Sequence, residues 1–176
     1  MHLFQRLCGG GAALALAAAL AAAPLSPVSA DTDAGNTIVT VQVDTAITLT
    51  ALTSSFALTG IPGETPTTGA TPVTMTVTTN NLAGYNVTVQ AAAANLVGAL
   101  APTNTDVIPV SSLQVDGPVQ GGTYASISNT TPLVVATKPA ASAVGGDEID
   151  NNYRITIPFV EPDSYTGTLN YIATTL

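Results

Sequence analysis

The feature that most constrains this chain is a period-two alternation in which threonine is the usual polar partner. In "VTVQV", Val39, Val41 and Val43 share one face while Thr40 and Gln42 take the other. "ITLTA" repeats the pattern with Ile47, Leu49 and Ala51, and "VTMTV" sets Val73, Met75 and Val77 against Thr74 and Thr76. "YNVTVQA" aligns Tyr85, Val87, Val89 and Ala91, "YRITIPF" aligns Tyr153, Ile155, Ile157 and Phe159, and the last stretch aligns Tyr165, Leu169 and Tyr171. Successive side chains of a strand point to opposite faces, so strict alternation rich in β-branched residues predicts half-buried antiparallel strands.

Short turn signals punctuate these runs: "GIPGETPTTGATP", "NNLAG", "VDGPVQGG", "NTTP", "AVGGDEIDNN" and "EPDSYTG". Glycine supplies positive φ, proline presets φ, and Asn or Asp bonds its own turn. "VTMTVTTNNLAGYNVTVQA" predicts a hairpin across Asn80–Gly84, with Gly84 in the left-handed conformation. "QAAAANLVGALA", residues 90–101, is the one stretch open to a short helix or a bulged strand. The pattern predicts an all-β antiparallel two-sheet β-sandwich of about seven to nine strands, Ig-like or Greek-key in connection, with a closed barrel as the alternative.

Residues 1–30 read as a secretory signal peptide. Arg6 precedes the apolar run "GAALALAAALAAA", and Val28 and Ala30 give the small-residue pattern for cleavage after Ala30. Cys8 precedes the apolar run rather than following it, so no lipid anchor is expected. Residues 31–176 are of the size of one domain and form the predicted single β-sandwich. No later apolar segment approaches the roughly 20 residues that span a bilayer, so no membrane partner is expected after cleavage.

The leader holds the one histidine, His2, and the one cysteine, Cys8. Beyond it, Lys138 and Arg154 stand against eleven carboxylates, a formal charge of about −9. Disulfides and metal sites built on thiolate or imidazole are thereby excluded from 31–176. Nucleic acid and anionic membrane make poor partners, because phosphate binding needs clustered cations.

General bases near neutral pH are usually histidine, as are the central members of nucleophile triads, so no catalytic residue is assigned and the chain reads as non-enzymatic. Lys138, in "VVATKPAAS", reads as a solvated loop lysine rather than half of a Ser/Lys dyad; a Lys–Asn isopeptide bond through it needs a buried lysine, an asparagine and a neighbouring acid. A glycosidase carboxylate pair lacks its usual tryptophan platform, since the chain has no Trp. "GGDEIDNN" places Asp147, Glu148 and Asp150 on a glycine-led loop. These are the candidate Ca²⁺ ligands, set against the reading of a polar hairpin loop. No other cofactor is expected. Tyr85, Tyr153, Tyr165 and Tyr171 fall on the apolar register and read as core residues with hydroxyls reaching water.

The pair Gly84–Tyr85 after a turn and the closing "YTGTLNY", with Tyr165, Gly167, Leu169 and Tyr171, resembles the WxL-type domain of Gram-positive surface proteins, in a divergent form lacking the Trp-x-Leu motifs. Related Ig-like bacterial surface sandwiches share the same threonine-rich hairpins. The resemblance implies a secreted, wall-associated, non-enzymatic β-protein that binds peptidoglycan non-covalently.

The function expected is thus a secreted bacterial cell-surface or cell-wall-associated structural and interaction module, extracellular or wall-bound. Its candidate partners are cell-wall polymer, other surface proteins or further copies of itself. One alternative is a fibre or pilin-like subunit in which "NTIVTVQV" or the closing strand completes a neighbour's sheet. Another is a secreted carbohydrate-binding or hydrolase accessory domain. Tyr165–Leu176 is expected to close the sandwich rather than serve as an anchor.

Overall fold

A computed structural model describes residues 31–176, so the expected leader lies outside the described residues. The chain divides into two units, Met1–Val41 and Gln42–Leu176. Residues 31–41 are exposed and carry no regular secondary structure; every described strand belongs to the second unit.

Threonine-partnered alternation becomes antiparallel sheet in β-strands of that unit. The largest sheet has the order β1 (Ile47–Thr50), β2 (Val73–Thr79), β9 (Asp147–Ile155), β6 (Leu113–Asp116) and β7 (Ala125–Ser126). A second sheet orders β11 (Leu169–Thr175), β3 (Tyr85–Ala91) and β8 (Leu133–Lys138). A small third sheet joins β10 (Tyr165–Thr166), β4 (Asn95–Gly98) and β5 (Val107–Pro109). One 3₁₀ turn, Val110–Ser112, precedes β6. Over the described residues the result is an all-β, β-sandwich-like fold of eleven strands, more than expected because short paired pieces of two or three residues add to the longer ones.

The alternation places the core. Val73, Met75 and Val77 of β2 face inward, as do Tyr85, Val87, Val89 and Ala91 of β3, with threonines half-buried between them. Ile149, Tyr153 and Ile155 of β9, Leu113 and Val115 of β6, and Val135 and Ala136 of β8 complete the same cluster. Each fully buried Val or Leu contributes about 1.5–3 kcal/mol by leaving water.

Three expectations change, and one alternative left open resolves. β2 and β3 are not a hairpin: β2 pairs with β1 and β9, whereas β3 pairs with β11 and β8. The Asn80–Gly84 link therefore crosses between sheets. Gly84 is committed to that turn, with its N–H donating to the Asn81 carbonyl and its own carbonyl accepting from Leu176 N–H. Residues 90–101 hold the end of β3, a bend and β4, with no helix. "YRITIPF" is a strand only to Ile155, and Phe159, beyond Pro158, is exposed. "VTVQV" is no strand at all, and Val39, Val41 and Val43 are 76–80% exposed.

Residues 64–68 run antiparallel beside the far half of β9. Ile157 N–H donates to Glu64 O, and Thr68 N–H to Tyr153 O, each at 2.9 Å. β9 is thus flanked along its length by β2, residues 64–68 and β6.

Candidate functional site

A concavity begins where β1 ends. Ala51 has φ +51°, an uncommon value for a residue with a Cβ, and it turns the chain out of the sheet. The chain then runs without secondary structure to Ile61. Thr53 N–H still donates to Thr74 O at 2.9 Å, but from Ser54 to Gly60 no backbone group is hydrogen-bonded within the described residues. Phe56 and Leu58 nonetheless pack on the core, and the Phe56 ring stacks on Tyr153 with centroids 4.6 Å apart. Between this segment and the ends of β9 and β11 lies an open groove of about 900 Å³, walled by Phe56, Leu58, Ile155, Ile157, Leu169 and Tyr171.

The polar side chains form separate clusters. Asp147, the first residue of β9, accepts two 2.9 Å bonds from Lys138 Nζ, one from the Tyr85 hydroxyl at 2.9 Å and one from Ala143 N–H at 3.2 Å. Burial pushes its carboxyl upward, but these donors outweigh burial and hold it below the ordinary value. The Tyr85 hydroxyl is pushed up to about 12, first by burial and then by the hydrogen bond and charge of Asp147. Tyr153 and Tyr171 share a hydroxyl–hydroxyl bond. Burial raises both, Tyr171 to about 12.

A third cluster ties the 99–106 loop to the chain before β10. Asp163 accepts from Leu100 N–H and Asn104 Nδ2, both at 3.0 Å, and is held below the usual carboxylate range chiefly by the Leu100 amide. Asn104 Nδ2 also donates to the Tyr165 hydroxyl, which donates in turn to Glu161 O. Arg154 donates from Nε to Gln114 Oε1 at 2.8 Å and lies 4.1 Å from the Tyr124 ring centre.

The structure does not gather the candidate Ca²⁺ ligands. They stand on β9 rather than on a loop; alternation puts Glu148 and Asp150 on the exposed face, while Asp147 turns to Lys138. Among the described residues no three His, Cys, Asp or Glu side chains converge as a metal site. Lys138 is no free loop lysine: it ends β8 and forms an ion pair with Asp147. Asn151, the buried asparagine of β9, lies four residues from Asp147, about 13 Å along a strand.

The positions that carry the resemblance each take a place in the packing. Gly84 has φ +99°, and a Cβ there would stand 1.8 Å from the Lys138 carbonyl oxygen. Gly167 separates β10 from β11 where Leu96 passes within 2.4 Å of a would-be Cβ. Tyr165 lies on β10, and Leu169 and Tyr171 on β11, all half-buried against the core. Tyr85 and Tyr153 lie in the core and Tyr165 and Tyr171 pack half-buried against it, and the hydroxyls of all four find protein partners rather than only water. The groove segment escaped the sequence reading, although Phe56 and Leu58, two residues apart in "SSFALTG", carry the same alternation.

Compared with protein-family models and with curated proteins, the chain matches none. Among the described residues no helix is long and apolar enough to cross a membrane.

Proposed function

We propose that this protein is a secreted bacterial surface module, non-catalytic, of Ig-like or Greek-key sandwich type and related to WxL-type domains, which works by adhesion or assembly at the cell wall. The observation that carries this reading is the fate of the ionisable side chains. Both cations of residues 31–176 are engaged by partners of the fold, Lys138 by Asp147 and Arg154 by Gln114 and Tyr124. A Ser/Lys dyad needs a deprotonated lysine beside a serine, and an ion-paired ammonium is the opposite state. Threonine-rich outer faces and a charge of about −9 over residues 31–176 suit a solvated surface protein. Calcium has no assigned role in this reading. Incubation with purified cell walls tests it: the protein should sediment with them, and a protein found only in the soluble fraction of its host would remove wall attachment.

A second reading is a subunit that assembles by strand addition. It is favoured by one observation, the exposed alternating segment Thr37–Val43, which forms no strand among the described residues.

A further inference from the structure

We infer that the groove beside residues 54–60 is the acceptor for strand addition, and that its occupant is the segment Thr37–Val43 of a second copy. The inference rests on the strand-adding reading and names its receiving site.

Two unsatisfied halves meet in this pairing. On the acceptor side, Ser54–Gly60 alternates inward Phe56 and Leu58 with outward Ser55, Ala57 and Thr59, as a strand does, but no neighbour holds its backbone. Across the groove, β11 is an edge strand bonded only to β3. An extended segment with one row of free N–H and C=O groups is a template for another chain. On the donor side, Ile38, Val39, Val41 and Val43 are 76–92% exposed, and no backbone group of residues 31–43 is hydrogen-bonded within the described residues. Val39, Val41 and Val43 present one apolar face, as groove-facing residues of an added strand must. Seven residues extend about 23 Å, the length of β3 or β11.

The donor belongs to another copy because of where the chain leaves the sheet. Asp44–Ala46 is clasped by Asn80: its Nδ2 donates to Asp44 O at 2.9 Å, and its Oδ1 accepts from Ala46 N–H at 2.8 Å. That clasp lies at the Thr79 end of β2, whereas Thr53 and the groove lie at the Val73 end, roughly 20 Å along the strand. To fill its own groove the segment would have to reverse at once and run back along β1.

The full chain, expressed with its own leader and recovered from the compartment it reaches, is compared by light scattering across concentrations with Val39→Asp/Val41→Asp. Both positions are exposed, so the variant folds as the parent does. The parent should form concentration-dependent oligomers, and the variant should need about 100-fold more protein to do so, since two apolar side chains no longer leave water. A parent that stays monomeric overturns the strand-adding reading and this inference together; equal association by the variant overturns the donor. The acceptor is read by disulfide trapping in a Cys8→Ser background, mixing Thr40→Cys, on the outward face of the added strand, with Ser55→Cys, Ala57→Cys or Thr59→Cys. Trapping at one of these above a Val144→Cys control supports the groove. Association that depends on Val39 and Val41 but traps no better than the control overturns the groove alone.

Discussion

Asp147 joins the two main sheets at one point, since it belongs to β9 while Lys138 ends β8 and Tyr85 begins β3. Its depressed carboxyl makes a stability contribution that is present in full above 3.8, the unfolded-chain value, and is lost as pH falls through the lower folded value. Thermal melting followed below pH 4 should therefore fall less steeply for Asp147→Asn than for the parent. Tyr85 has the opposite sign. Its hydroxyl is raised, so its contribution is complete below pH 10 and disappears as pH climbs towards about 12. Tyr85→Phe should flatten that alkaline limb, leaving the part due to Tyr153 and Tyr171. Asn151 is a different case: fully buried, with neither side-chain oxygen nor nitrogen hydrogen-bonded. An unsatisfied buried amide costs on the order of 1–3 kcal/mol, so Asn151→Leu, of similar volume, should raise stability by about 1 kcal/mol in a denaturant titration. A lower midpoint would show that the amide has a partner.

At the scale of elements, the Asn80–Gly84 crossover and β11 support each other. Gly84→Ala places a side chain at φ +99° and against the Lys138 carbonyl, and should cost more than about 1 kcal/mol by equilibrium unfolding. β11 pairs with β3 from Leu169↔Ala91 to Thr175↔Tyr85, and Leu169 and Tyr171 pack on the core. Removing Tyr165–Leu176 should abolish cooperative unfolding by circular dichroism; a truncated chain that still melts in one sharp transition would refute the closing role of β11.

β2, β3 and β11 were legible in the sequence because their inward positions are apolar almost without exception. β9 was half hidden, since its inward position 151 is asparagine and its first residues are acidic, so "DEIDNN" reads as a loop. "VTVQV" misled in the other direction: alternation reports a face suited to burial, not that a partner exists within the chain. The placement of β2 and β3 in different sheets was beyond reach, because alternation is the same whichever neighbour bonds the strand. The groove depends on residues 54–60 packing their side chains while leaving their backbone unpaired, which no local pattern encodes.

For the whole molecule, electrostatics and assembly pull against each other. A formal charge of about −9 over residues 31–176 repels a second copy over distances set by the Debye length, about 10 Å at 0.1 M salt and 30 Å at 0.01 M. Association through an apolar strand should therefore strengthen as ionic strength rises, the reverse of what complementary charged patches would do; sedimentation velocity in a salt series checks the direction. The flanking of β9 also orders the molecule in time. Amides at its centre, paired on either side by β2, residues 64–68 and β6, should exchange with solvent deuterium only when the entire sandwich opens, while those of Ser54–Gly60 exchange without any unfolding. An incoming strand could thus be accepted at a margin that is already open, on a timescale far shorter than the lifetime of the fold beneath it.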